Sequence, residues 1–161
     1  MKKSAGILLF RRKGALIEFF LVHPGGPFWK NKDLGAWSIP KGEFEDVEDP
    51  MTAAKREFKE ETGISINGKF TPLTPVKIKS GKLVYAFALE KDVDETIVVS
   101  NDFSMEWPPR SGTQQKFPEV DKAGWFEVDL AKEKINSSQA AFIDELLKLL
   151  TGKPGTGKGR S

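Results

Sequence analysis

Residues 42–64 read GEFEDVEDPMTAAKREFKEETGI, which sets Glu48, Glu57, Glu60 and Glu61 around one arginine, Arg56. Carboxylates at this density suit hard divalent cations such as Mg²⁺ or Mn²⁺, which take oxygen ligands and leave positions for water and phosphate. The same stretch carries helix signals. Asp49 is suited to cap an N-terminus, Pro50 presets φ at the first helical position and Gly63 offers a left-handed stop, so a helix is predicted over 50–62. At about 100° per residue, Glu57, Glu60 and Glu61 fall on one face while Met51, Ala54 and Phe58 form a neighbouring apolar stripe. Three like charges at i, i+3 and i+4 weaken an isolated helix by about a few tenths of a kcal/mol per pair, so something must offset them. The plainer alternative is a solvated face, with Arg56, Glu60 and Lys59 making ordinary surface pairs.

The segment resembles the Nudix box, a motif that specifies a glycine, a glutamate, an Arg-Glu-apolar triplet, a Glu-Glu pair and a closing Gly-apolar pair at fixed intervals. Gly42, Glu48, Arg56, Glu57, Phe58, Glu60, Glu61, Gly63 and Ile64 fill those positions. Phe58 stands where an aliphatic residue is more usual, and it keeps the stripe apolar. SAGILLF, a second strand ending LVH, the AWSIPKGE approach and the late PEVDKAGWF segment look like the same family, so the likeness covers most of residues 4–150.

That resemblance implies an α+β chain with the Nudix fold, a mixed β-sheet sandwiched between α-helices (α/β/α), forming one domain over 1–150. It implies a Mg²⁺-dependent pyrophosphohydrolase, with Mn²⁺ as a substitute, cleaving a nucleoside diphosphate linked to another group by attack of water on phosphorus. A dinucleoside-polyphosphate or capped-RNA hydrolase is the alternative within the enzyme class, and a non-catalytic ligand sensor the alternative outside it.

By motif position Glu57, Glu60 and Glu61 are expected to ligate the metal, and Glu57 to orient or deprotonate the water. Gly42 permits close backbone approach, so the Lys41 carbonyl is a further candidate ligand. Arg56 reads as a brace that holds Glu48 bidentately; an exposed loop acid is the alternative for Glu48. Outside the box, Glu119 is the expected additional metal-binding or basic glutamate, with Glu106 as its competitor. Lys79, Lys82 and Tyr85 follow a pattern similar to dinucleoside-polyphosphate hydrolases and are expected to touch phosphates. Phe28, Trp29 and Trp107 lie in Gly/Pro-rich loops and are candidates to stack on a base. Trp107, beside Pro108 and Pro109, is carried forward as the substrate-binding one. His23, the only histidine, is read as a hydrogen-bonded structural residue.

Composition fits one such domain. A chain of 161 residues with 39% hydrophobic and 30% charged residues buries one sizeable core. The absence of cysteine removes disulfides, thiolate metal sites and a Cys nucleophile. A net charge of +2 is too mild to argue for nucleic acid; the resemblance implies a small nucleotide or dinucleotide as the partner. No apolar run approaches membrane-spanning length, so a soluble cytoplasmic protein is expected.

The remaining elements read as a hairpin, 5–10 with 17–23, turning at 11–14, and a short strand at 37–39. A second hairpin is expected from 70–79 and 82–89, followed by a long polar loop over 99–118, a final strand at 123–128 and an amphipathic helix over 140–150. The tail 151–161 contains GKPGTGKG, which lacks the Ser or Thr and the following helix of a phosphate-binding loop, and reads as a disordered basic segment.

Overall fold

The computed structural model of the protein describes residues 2–152. Its centre is β1 (Lys3–Lys13), a strand buried on both faces because apolar residues occupy consecutive positions. Period-2 geometry then sends Ala5, Ile7 and Leu9 to one side, and Leu8 and Phe10 to the other. β2 (Leu16–Pro24) pairs antiparallel with β1 and splits likewise, Phe20 and Val22 against Phe19 and Leu21. The turn between them is the pair Gly14-Ala15, so the basic residues 11–13 belong to the strand and not to the turn expected for them. Gly14 takes φ 61°, which explains the glycine at that position.

Beyond β2 come β3 (Lys41–Phe44), α1 (Pro50–Thr62), two-residue strands β4 (Thr71–Pro72) and β5 (Val76–Lys77), and β6 (Leu83–Glu90). β7 (Asp102–Glu106), β8 (Gln114–Pro118), β9 (Val120–Glu127), α2 (Val128–Lys134) and α3 (Ala140–Thr151) complete the order. The main sheet runs β4-β6-β1-β2-β9, with β3 pairing β1 and β5 pairing β6. The β1–β6 ladder is parallel and the others antiparallel, so the sheet is mixed as expected. One face packs on Phe142, Ile143 and Leu146 of α3 and the other on Ala53, Ala54 and Phe58 of α1. This is the α/β/α sandwich.

Several sequence expectations need correction. The residues 37–39 form single bridges, Ser38 to Val22 and Trp37 to Ile135, and not a strand. The strand expected at 70–79 is broken into β4 and β5, because Pro72 and Pro75 interrupt it and neither can donate to a ladder. The loop over 99–118 contains a two-stranded antiparallel sheet, β7 with β8, in register from Asp102↔Pro118 to Glu106↔Gln114. β3 and α2 had no counterpart in the sequence reading. Among the described residues no helix is long and apolar enough to cross a membrane. The tail reading falls, from residue 153 on, outside the described residues.

Candidate active site

The carboxylate helix is built as its sequence prescribes. Asp49 accepts from Thr52 N at 2.9 Å, Pro50 opens the helix and Gly63 closes it at φ 76°, its N–H donating to the Lys59 carbonyl. The buried stripe is Ala53, Ala54, Phe58 and Thr62, with Met51 half-buried. Phe58 is fully buried against Phe20, ring centroids 6.0 Å apart. This packing fixes the roll of the helix and thereby presents Glu57, Glu60 and Glu61 on its flank. Gly42 contributes by size: a Cβ there would overlap the Glu57 carboxylate. β3 can lie against the helix only because that side chain is missing.

Arg56 organises the acids. Its Nε and Nη2 donate to the two oxygens of Glu48 at 2.9 Å each, the bidentate pair expected from the sequence. Its Nη1 also donates to Glu57 at 2.7 Å and to Glu60 at 3.1 Å. The Glu48 hydrogen bonds, ahead of those to Glu60 and Glu57, hold the guanidinium pKa well above its ordinary value, and the same contact holds the Glu48 carboxyl below its own.

Glu61 stands apart from the arginine. Its Oε1 accepts from the Lys41 backbone N–H at 3.3 Å, and burial pushes its pKa up to about 8, with the Glu119 and Glu57 charges adding to the rise and Lys41 opposing it. Burial also raises Glu57 and Glu119; Glu60 adds to both rises, Glu119 adds to that of Glu57, and Arg56 opposes the latter. Lys41 is shifted the other way, its ammonium disfavoured first by burial and then by the nearby Lys82 charge. Glu119 lies just before β9 and reaches the cluster because its backbone is pinned twice: Gly25 N–H donates to its carbonyl at 3.0 Å and its own N–H donates to Asn101 at 2.9 Å. Asn101 N–H in turn donates to the Glu60 carbonyl at 2.8 Å.

Burial and neighbouring negative charge thus raise the proton affinity of Glu57, Glu61 and Glu119, with Glu60 contributing its charge to the rise of Glu57 and Glu119. An all-oxygen donor set whose members repel one another fits a hard divalent cation, which removes the repulsion and the cost of burial together. Among the described residues no three acidic, His or Cys side chains converge as a ready clasp. The reason is visible in the hydrogen bonds: Arg56 draws Glu57 and Glu60 to itself and the Lys41 N–H holds Glu61.

Two cavities meet at Glu61 and Glu119. One, about 220 Å³, is walled by Pro24, Trp29, Ser38, Lys41 and Gln139. The other, about 320 Å³, lies between Gly26, Phe28 and Trp29 on one side and Phe103 and Met105 of β7 on the other. Lys82 projects toward β3, pairing with Glu43 at 3.2 Å, and meets the cluster only through its field on Lys41. Tyr85 packs edge-on against Phe44, with centroids 5.9 Å apart, and Lys79 is exposed in the turn before β6. Trp107 sits at the far end of β7, its N–H donating to Thr113 at 2.9 Å, and is not among the residues lining either cavity. Glu106, the competitor of Glu119, is turned into the same hairpin, where it accepts from Gly112 N at 2.7 Å.

His23 is structural as expected. The fully buried ring meets Asp121 Oδ1 at 2.8 Å through Nδ1, and Nε2 donates to the Lys32 carbonyl at 2.6 Å, tying the 25–35 loop to β9. Phe103, Met105, Ser38 and Gln139 were missed by the sequence reading. The first two had a signal, since DFSME alternates apolar and polar in strand fashion. Ser38 and Gln139 had none: Gln139 Oε1 accepts from the Ile39 N–H a hundred residues away.

A sequence profile of the NUDIX domain matches residues 1–146, and the chain belongs to that family. Curated relatives include an octanoyltransferase from Myxococcus xanthus, 31% identical over 63% of this chain and 25% of the relative. An RNA pyrophosphohydrolase from Erythrobacter litoralis is 34% identical over 40% of this chain and 35% of its own length. The matches therefore span only about a quarter to a third of those relatives. Among solved structures, the C. elegans Ap4A hydrolase binary complex superposes with a TM-score of 0.62 at 23% identity, covering 94% of this chain and 99% of that one. The NUDIX domain of Shewanella oneidensis NrtR complexed with ADP ribose also gives 0.62, at 14% identity over 92% and 87%. At such identities the likeness is one of fold.

Proposed function

We propose that the protein is a Mg²⁺-dependent pyrophosphohydrolase that cleaves a nucleoside diphosphate linked to another group. The observation that carries this reading is the mutual repulsion of Glu57, Glu60, Glu61 and Glu119, of which Glu61 and Glu119 line two cavities. Arg56 and Lys41 compensate these acids only in part, and stability alone gives little reason to gather and bury them. The likeness to an RNA pyrophosphohydrolase and, in fold, to an Ap4A hydrolase supports the same class of bond.

In this reading Glu57, Glu60, Glu61 and Glu119, with the Lys41 carbonyl, hold the divalent cation. When bound, that cation polarises phosphoryl oxygens and makes its water more acidic. Glu57 takes the proton from the attacking water; burial favours its protonated form, and Arg56 Nη1 at 2.7 Å orients its carboxylate. Glu48 keeps the guanidinium anchored by two of its nitrogens, which leaves Nη1 to hold Glu57 and Glu60 together. Lys41, with Lys82 behind it, supplies positive charge on the substrate side of Glu61.

The deciding experiment is hydrolysis of a panel of nucleoside triphosphates, dinucleoside polyphosphates and nucleotide sugars with Mg²⁺, with products identified by mass. Turnover is expected to vanish in excess EDTA and return with Mg²⁺ or Mn²⁺. Undiminished hydrolysis in EDTA would remove the metal from the reading. The paired cavities favour dinucleoside polyphosphates as the second substrate class, signalled by asymmetric cleavage of a long phosphate chain.

A further inference from the structure

Residues 99–101 form a strap between the end of α1 and the start of β9. Helix ends leave carbonyls without intrahelical partners, and two of them are met from the strap: Val99 N–H donates to Thr62 O at 3.0 Å and Asn101 N–H to Glu60 O at 2.8 Å. The approach is close, since a Cβ on Gly63 would fall 2.8 Å from the Val99 carbonyl. From its other side the strap accepts two hydrogen bonds. Glu119 N–H donates to Asn101 O at 2.9 Å, and Val120 N–H donates to Ser100 Oγ at 3.0 Å. The first of these lies just outside the hairpin's opening pair, Asp102↔Pro118, and the second one step further out, so together they close the base of β7–β8.

Val120 is buried in the core on the α1 side and stands opposite Pro24, which has no N–H to offer, where the β2–β9 register shifts. The half-buried Ser100 hydroxyl serves both polar backbone groups of Val120. It accepts from the N–H, and its own proton has the Val120 carbonyl at 3.2 Å and the Asn101 carbonyl at 3.0 Å within reach. Of the four hydrogen bonds that join α1 to residues 119 and 120 through the strap, three run from backbone to backbone. Ser100 supplies the one side chain, and it lines neither cavity beside the carboxylates.

We infer that Ser100 is a positioning residue for the metal site, its hydroxyl fixing Glu119 at a set distance from the carboxylates of α1, so that the loop acid moves with the helix and not with the hairpin. The inference rests on the hydrolase reading above for Glu119 as a ligand and goes beyond it in naming what places that ligand. A cation shared between a helix and a loop needs their separation held, and hydrogen bonds behind a ligand do this. Because three of the four ties are main-chain, the side-chain tie is the one that a substitution can remove cleanly.

The test compares wild type with Ser100→Ala, Ser100→Thr, Glu119→Gln and the double variant Ser100→Ala/Glu119→Gln, reading Mn²⁺ affinity by titration calorimetry on the full chain, and kcat and KM on any diphosphate that the wild type cleaves. Ser100→Ala is expected to weaken Mn²⁺ binding about tenfold, the low end of what losing an outer hydrogen-bond partner of a ligand costs. Its kcat should fall with the metal affinity while KM stays within twofold of wild type. Ser100→Thr, which restores the hydroxyl, should lie within twofold of wild type in each reading. In the double variant the serine change should add no further loss of Mn²⁺ affinity to that of Glu119→Gln, since both act through one ligand. Unchanged Mn²⁺ affinity in Ser100→Ala would overturn the inference, as would a threonine variant as weak as the alanine one or losses that multiply in the double variant. Wild-type Mn²⁺ affinity in Glu119→Gln would overturn it together with the role of Glu119. If Ser100→Ala does not fold, Ser100→Thr against Ser100→Val, matched in shape and differing in the hydroxyl, carries the same comparison. A wild type that binds Mn²⁺ and hydrolyses no diphosphate would refute the hydrolase reading alone, since the binding contrast is measured without turnover.

Discussion

Helix α1 and the β7–β8 hairpin face each other across Glu61 and Glu119, yet they are secured in different ways. The helix buries Ala53, Ala54 and Phe58 in one of the two cores, and its carboxylates hang from a scaffold with no alternative packing. The hairpin is a separate two-stranded sheet that contributes no fully buried side chain, resting on Gly25, Gly26 and the backbone of Glu119. An isolated hairpin is marginal in water. In the proposed reading the metal-holding carboxylates thus stand on an element packed into a core, while the wall facing them is a hairpin without one, the sort of element that opens locally at low cost.

That contrast breaks first, if it breaks, at the helix. Glu57→Gln and Glu61→Gln each keep side-chain volume and remove a charge, so kcat is expected to fall at least about a hundredfold with the fold intact. Steady-state kinetics with Mg²⁺ alongside circular dichroism checks this; wild-type turnover in a folded variant would return that residue to the solvated-face alternative. Phe58→Ala should destabilise the whole domain by about 3–5 kcal/mol, read as a lower urea midpoint, because the cavity opens at the core. A hairpin substitution of similar size, Phe103→Ala, should cost well under half of that if the hairpin opens without the rest.

Acidity sharpens the comparison. In the metal-free protein Glu61 has a pKa near 8 against about 4.5 unfolded, so the folded state binds the extra proton between those values. Its contribution to stability is complete below about pH 4.5 and is lost as pH rises toward 8. The melting temperature measured in EDTA should accordingly drop across that window in wild type and drop less in Glu61→Gln. Mg²⁺ should raise it more at pH 8 than at pH 5; equal effects at both would mean that Glu61 is not a ligand. The smallest effect is expected at the hairpin tip, where Trp107→Ala should change KM less than twofold, contrary to the stacking role expected from its Pro-rich setting.

The same division governed what could be read from the residues. The helix, its caps at Asp49 and Gly63, the Arg56–Glu48 brace and the anionic face are local, set by spacings of three to eight residues, and all are legible. The burial of both faces of β1 and β2 was legible for the same reason. Trp107 lines neither cavity, since adjacency to prolines says that a loop turns and not which way it points. Lys79 and Tyr85 were chosen on a family pattern, but side-chain direction along β6 follows from the β1–β6 register, which no local spacing encodes. Glu119 was singled out by its position before the last strand, whereas its pinning by Gly25 and Asn101 is long-range packing that the chain shows only when folded.

The parallel ladder between β1 and β6 also has a consequence for synthesis. Its register joins Lys3 to Leu83 and Phe10 to Glu90, so each partner emerges eighty residues after its mate. At about 5–20 residues per second, β1 waits on the order of 4–16 s for the strand that completes its far edge. In that interval α1 is made and can cover Ile7, Leu9 and Phe20, whereas Leu8, Phe19 and Leu21 on the other face of the β1–β2 hairpin wait for α3, which follows β6. The most apolar stretch of the chain is therefore the one longest without its partners, which makes the nascent hairpin the point at which a chaperone would engage and at which aggregation would start.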